Sequence, residues 1–519
     1  MKNKHTMKKI TLYISISAFF FSLTVFAQDL NVATGGELYI SPSAFVHASS
    51  NLDISTFGDL IMDSESTDFS DLFVDGTSTG NAEYRRFTES FSTRDLVSPP
   101  VSGQLFSAFA AANSGKIPEV DGNLWYGPLE AGAYVEYTAA NTSPLVAAKG
   151  YRAATVQLSG LTLAYTGIVN TADVGIGVAL TPGPYRESNL VGNPFTTHID
   201  AGAIVTALAN NPTAIDASYA AIYGYDGNVS TDASTWKIIN SLSSTELITP
   251  GQGFIIISTA AGGTFTFPES ARRVSATAQD DFIAGRQSNS GHSFFKLRLS
   301  KGTTNAGETS LYFINENGTR GLDPGFDAGT LGTDIGTHLV ENSQGINMEI
   351  QALSKDDLTA SDYAIPLEVR VAAGQEATIS ISELNNIPAG VEFYLDDTEL
   401  NIQTLITSND YTFTPSSRLS GIGRFYLRTT SETFSTPYNA LNAVEVFSLR
   451  SEKKLVVQGQ LRNNSVLKIY DVRGRLIETH ALEASQTKHE VDVSTISSGV
   501  YVVNLNNKSQ SKTTKLVIN

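Results

Sequence analysis

One string in this chain has the spacing of an activated serine. Gly76-Thr-Ser-Thr-Gly80 fits the GxSxG pattern, in which a strand-to-helix elbow exposes a nucleophilic hydroxyl to an acid and a histidine placed downstream. Here the string sits in a polar Gly, Ser and Thr run of a β-patterned stretch and is read as a turn. His47, His198, His292, His338, His480 and His489 stand singly, so no two have zinc-ligand spacing, and each is read as a surface or turn histidine. Asp121-Gly-Asn123 and Asp226-Gly-Asn228 carry too few oxygen donors for a calcium loop and read as solvated turns. No HExxH, phosphate-binding Gly-rich Lys loop or dinucleotide fingerprint occurs. With 0 Cys, disulfides, thiolate metal sites and thiol nucleophiles are excluded. The expectation is no catalytic, cofactor-binding or metal residue and no cofactor. Two further chemistries need no local motif. A glycosidase requires only two opposed carboxylates, which can lie far apart in sequence, so spacing nominates no pair. Trp125-Tyr126, and Tyr219, Tyr223 and Tyr225 with Trp236, could stack on a sugar face, but such rings in β-proteins more often fill a core, and that is the preferred reading.

Lys plus Arg number 35 against 52 for Asp plus Glu, a formal charge of −17 that 7 His cannot reverse. Nucleic acid is therefore not expected as a partner, since its phosphates call for a basic surface. An acidic chain rich in Gly, Ser and Thr suits a solvated extracellular β-protein.

The elements that would position these residues are strands. At the start, Lys2, Lys4, Lys8 and Lys9 precede the uncharged, mostly apolar run Ile10 to Phe26, and Val25-Phe-Ala27 before Gln28 has a small residue at a cleavage position. Residues 1–27 read as a secretory signal peptide cleaved between Ala27 and Gln28, with no transmembrane segment expected after its removal. Residues 28–80 repeat a polar-apolar-any-apolar unit in Glu37-Leu-Tyr-Ile40, Asn51-Leu-Asp-Ile54, Asp59-Leu-Ile-Met62 and Asp71-Leu-Phe-Val74. This predicts a β-solenoid-like segment or a small meander, with Leu38, Ile40, Leu52, Ile54, Leu60, Met62, Leu72 and Val74 pointing inward.

Residues 81–270 read as a β-rich middle domain with one short helix over Ala201 to Asn210, where Ile204, Val205 and Leu208 share a face. Within it, Gly192-Asn193-Pro194 ends a strand, and Gly251 and Gly253 turn the chain into the apolar strand Phe254 to Ile257. A glycan or peptide approaching those glycines is the alternative. Tyr84-Arg-Arg86, Leu96-Val-Ser-Pro99, Asn189-Leu-Val-Gly-Asn-Pro-Phe195 and Thr249-Pro-Gly-Gln-Gly-Phe-Ile255 resemble signatures of large Bacteroidetes surface proteins. Residues 271–432 hold eight strand candidates, from Phe294–Leu299 to Arg424–Leu427, and predict a two-sheet jelly-roll or Ig-like sandwich. Residues 433–442 read as a linker.

The last block alternates at period two: Leu467 and Ile469 on one strand face, Tyr501, Val503 and Leu505 on a second, Leu516 and Ile518 on a third. Asp471-Val-Arg-Gly474 supplies a hairpin turn, with Gly474 free to take a positive φ, and Ser498-Gly499 precedes the next strand. The strings that carry Tyr470, Asp471, Gly474 and Arg475, then Gly499 and Tyr501, then Lys515, Leu516, Val517 and Ile518, resemble the type A C-terminal sorting domain of the Bacteroidetes type IX secretion system over residues 443–519. Family members usually open with Asn-Pro, whereas Tyr438-Asn-Ala-Leu-Asn-Ala443 stands here. The resemblance implies an Ig-like sandwich that engages the type IX machinery, passage of folded cargo across the outer membrane, and removal of the domain as the cargo is attached to surface lipopolysaccharide.

Together these readings predict an all-β, multidomain protein, secreted or held at the cell surface, that is non-enzymatic and adhesin-like or structural. A carbohydrate-binding or glycan-hydrolysing surface protein is the alternative.

Overall fold

The computed structural model describes residues 26–27, 29–56, 58–89, 94–180, 188–225, 236–243, 246–274, 291–343, 345–360, 363–429, 444–449, 453–459, 461, 464–484, 488–507 and 511–518. Outside these lie most of the expected signal peptide with Gln28, the Asp226-Gly-Asn228 turn, the 433–442 linker and the Tyr438 to Ala443 stretch. The chain divides into two compact units, residues 1–290 and 291–519. The fold is all-β, with two short α-helices among the described residues.

The first unit opens with a true solenoid. Strands β1 (Phe26–Ala27), β4 (Phe45–Ala48) and β7 (Asp71–Val74) stack in parallel. So do β2 (Leu30–Val32), β5 (Leu52–Ile54) and β8 (Ser78–Thr79), and β3 (Glu37–Ile40), β6 (Asp59–Asp63) and β9 (Ala82–Thr88). Three short parallel sheets thus enclose one apolar stack. Ile40, Leu52, Ile54, Leu60, Met62, Leu72 and Val74 are buried and Leu38 packs against them, as the alternation requires. Register superposes like on like: Leu38 faces Leu60, Ile40 faces Met62, and Ala48 faces Val74. Polar corners stack as well, the Asn51 amide donating to Asp29 and accepting from the Thr77 backbone and hydroxyl.

The strand β9 converts this parallel stack into an antiparallel domain, pairing parallel with β6 on one side and antiparallel with Leu161–Val169 on the other. The middle region continues through the apolar helix α1 (Phe106–Ala112), which the sequence reading missed, and α2 (Ala201–Ala209). On α2, Asp200 accepts from the Ala203 N–H as an N-cap, and Ile204, Val205 and Leu208 are buried on one face. Arg272–Arg273, assigned from sequence to the third block, pair with His198–Asp200 in this first unit.

In the second unit, all eight expected strands form among the described residues, within one sheet of eleven strands; ten run continuously from Ile402–Leu405 at one edge to Tyr411–Phe413 at the other, and Ala328–Gly329 pairs off that path with Met348–Ser354. The two-sheet sandwich expected from strand count is therefore a single sheet wrapped around a single core. Its one parallel pairing, Thr304–Ile314 with Met348–Ser354, joins what hairpin-by-hairpin counting would separate. Leu297, Leu311, Leu353, Leu367 and Ile379 meet in that core. The C-terminal part is a sandwich of a three-stranded sheet and a four-stranded sheet, all antiparallel, around Leu455, Leu467, Ile469, Val503 and Leu505.

Candidate functional site

Three arrangements could carry function: the junction built by the middle-region motifs, the motif end of the C-terminal sandwich, and a set of buried ionisable groups.

The four middle-region motifs converge on one buried junction. The Arg86 side chain, fully buried on β9, donates to Asp95 at 2.9 Å and to the Gln252 carbonyl at 3.2 Å. In return, the Gln252 amide donates to the Leu96 carbonyl, and the Ser98 N–H donates to Gly251. Asn193 uses its whole side chain and its backbone N–H: the side-chain amide donates to the Thr197, Ile248 and Thr249 carbonyls, the side-chain carbonyl accepts from Phe195 N–H, and the backbone N–H donates to the Gln252 carbonyl. A Cβ on Gly253 would stand 2.6 Å from the Leu96 carbonyl carbon, so the residue must be glycine for the backbones to meet. The glycines thus admit neighbouring backbone, and the structure places these motifs inside the fold. A second set of groups seals the last solenoid rung: Thr196 exchanges backbone and hydroxyl bonds with Leu72, Arg272 donates to the Val74 carbonyl, and His198 binds Asp71 at 2.8 Å.

In the C-terminal sandwich, the three resembling strings lie on adjacent strands and bring their residues to one end of the four-stranded sheet. Asp471 faces Tyr501, Tyr501 faces Leu516, and Gly499 faces Ile518 in register. The turn closes with φ 80° at Gly474. The Asp471 carboxylate accepts from the N–H groups of Arg473 and Arg475 and from the Arg475 guanidinium, and the Arg475 N–H foremost holds it below the usual carboxylate range. Tyr501 donates its hydroxyl to the Ser497 carbonyl at 2.7 Å. Tyr470 is half-buried, Ile518 is buried, and Arg475, Lys515 and Val517 are exposed. Ala27 lies in β1, on the leader side of the expected cleavage point.

The other sequence candidates separate. Ser78 of the GxSxG string is a β8 residue of the solenoid, paired with Leu52 and outside any strand-to-helix elbow. Asp121 and Gly122 both have positive φ and form a two-residue hairpin. Tyr126 and Tyr223 are fully buried core residues, while Trp125 is half-buried under the Arg94 guanidinium at 4.2 Å; of Trp236 only the strand is described.

The histidine expectation needs correction. His198, His338 and His489 are buried, because neighbouring carboxylates make burial tolerable for the first two: His198 has Asp71, and His338 has Glu368 at 2.8 Å. Two acids of the second unit, one in a loop and one on a strand of the eleven-stranded sheet, are held above the usual carboxylate range. Burial pushes Asp327 up to about 8 and Glu349 up to about 7. Asp327 spends both oxygens on the N–H groups of Ala352 and Asp323, and so holds a loop. None of these partners shares a local motif, so spacing could not have found them. No group of three or more metal-ligating side chains with metal-site geometry occurs among the described residues.

No helix among the described residues is long and apolar enough to cross a membrane. The description "Secretion system C-terminal sorting domain" matches residues 451–519, which places the Asp471 hairpin and its partner strands within a sorting tail. That tail marks a cargo of type IX secretion, exported to the surface or beyond. No curated protein matches the chain. Among solved structures, the chain is similar to "Biofilm associated protein - BSP domain" at 10% identity, covering 84% of this chain and 97% of that one with a TM-score of 0.16, a likeness that carries no argument. The family described as "Domain of unknown function (DUF8693)" matches residues 3–429, and the chain belongs to that family.

Proposed function

We propose that the exported chain is a non-enzymatic, adhesin-like or structural interaction protein, addressed to the type IX machinery by its C-terminal sandwich and attached to surface lipopolysaccharide once that sandwich is removed. The observation that carries this reading is the fate of the motif residues. Arg86, Asp95, Asn193 and Gln252 spend their polar groups on one another and on backbone within a buried junction, which makes them builders of a rigid display scaffold. Attachment of the producing cells to surfaces and to one another, compared between the wild type and a strain lacking the gene, tests it. Equal attachment would count against an adhesive role.

A second reading, carbohydrate binding or hydrolysis, has one observation in its favour. An open cleft of about 400 Å³ beside the solenoid sets the polar groups of Ser55, Thr56, Asp59, Asn81 and Glu83 next to the apolar Ile54, Leu60 and Ile61, a mixed lining that a sugar's hydroxyls and ring face could match. A glycan array with the mature chain and with Asp59→Asn and Glu83→Gln tests it: saturable binding to one sugar class, lost in both variants, would favour this second reading over the first.

A further inference from the structure

On the outer face of the eleven-stranded sheet an ionisable side chain, His338, is fully buried. His338 follows the strand Ile335–Thr337, and its Nε2 lies 2.8 Å from a Glu368 oxygen. Leu367 and Val369 turn into the core, so the alternation puts Glu368 between them on the outer face. On the other side of the ring, Nδ1 stands 3.5 Å from Oε2 of Glu445, in the first strand of the C-terminal sandwich, Glu445–Leu449. Both of those atoms are buried, and neither has another hydrogen-bond partner among the described residues. Two residues on, the Phe447 ring lies against Gly345, where a Cβ would collide with it.

A neutral imidazole has one N–H and can serve one of these carboxylates, turning a lone pair toward the other; the doubly protonated ring donates to both. The remaining charges around the site are compatible with that. Arg370 engages the second oxygen of Glu368 at 2.7 Å, and Lys512 of the last strand donates to the Val444 carbonyl beside Glu445.

We propose that this face of the sheet is a docking surface for the chain's own sorting sandwich, and that His338, protonated on both ring nitrogens, is the pin that joins them. The sorting sandwich is then seated on its cargo by a charge bridge and one aromatic ring, and loss of His338 charge or of Glu445 frees it. Burial works against the charge on His338, and the two carboxylates outweigh it, pushing its pKa up to about 9. Because the folded value is raised, the joining energy is complete below the ordinary histidine range and is lost as pH rises through about 9. The inference takes its biological meaning from the export reading, but its test is made on purified protein and does not depend on export.

The chain has 0 Cys, so single cysteines can carry spin labels cleanly. Labels on Leu384→Cys of the sheet and Val472→Cys of the sorting hairpin, both exposed, report their separation in the full mature chain. One narrow distance distribution is expected at about pH 7, and its loss into a broad one at about pH 10. The same loss is expected at about pH 7 in Glu445→Gln and in His338→Gln. Should His338→Gln unfold the sheet, Glu445→Gln decides, since it leaves the sheet's own residues intact. A distribution that stays narrow in Glu445→Gln and at about pH 10 overturns the proposal, and leaves the export reading to its own test by deletion of the tail.

Discussion

Arg86 and Arg424 solve the same problem in different cores. Each places a guanidinium against a buried aspartate, Asp95 in one case and Asp397 in the other, at 2.9 and 2.7 Å. Each is also flanked by aromatic rings, Phe69 for Arg86 and Phe413 with Phe425 for Arg424. Neither carboxylate could be buried alone. Replacing Arg86 by Met leaves Asp95 uncompensated and is expected to cost about 3–5 kcal/mol, read as a drop in the denaturation midpoint of the first unit. Pairing that change with Asp95→Leu should recover most of the loss, whereas a single variant as stable as the wild type would show that the pair adds nothing. From sequence, Tyr84-Arg-Arg86 looked like a signature and Asp95 like any acid. What joins them is a distance that only the fold creates.

At the scale of elements, the solenoid shows how a correct pattern can conceal its own geometry. The four polar-apolar units recur unevenly because consecutive units sit on different sheets: Glu37–Ile40 stacks on Asp59–Asp63, while Leu52–Ile54 and Asp71–Val74 belong to the other two. Which residues point inward was nevertheless legible, since alternation along a strand is local. Leu60→Ala should therefore open a cavity in the buried stack and cost about 2–5 kcal/mol by chemical denaturation. Gly253→Ala tests the motif junction instead. The added methyl must displace the Asp95–Val97 strand, and a loss of about 1–3 kcal/mol is expected. A neutral effect would mean that the backbones can separate freely, and the glycine would then need another explanation.

Across the whole molecule, the two ends of the second unit are coupled by charge. A chain ending at residue 429 lacks Glu445, one of the two carboxylates that hold the His338 pKa up, and keeps Glu368, so the ring should titrate below about 9. Imidazole C–H shifts followed by NMR in the full and shortened chains check this, and identical titrations would remove Glu445 from the account. In the native host, deletion of residues 444–519 is expected to leave the cargo in the periplasm, detected by fractionation, because the matched sorting tail is gone. Continued appearance at the surface would sink the export assignment.

Taken by itself, the sequence determined the all-β character, the inward residues of the rungs and the sorting tail with its Asp471 to Arg475 hairpin. Each is written in neighbouring residues, as alternation, turn chemistry or a contiguous string. The tertiary structure alone decided that the rungs stack in parallel, that the eight expected strands join one wrapped sheet, that the middle-region glycines admit backbone, and that His338 lies between two glutamates. Pairing, closure and the burial of charge depend on groups far apart along the chain, and their energies come from proximity that no local pattern records.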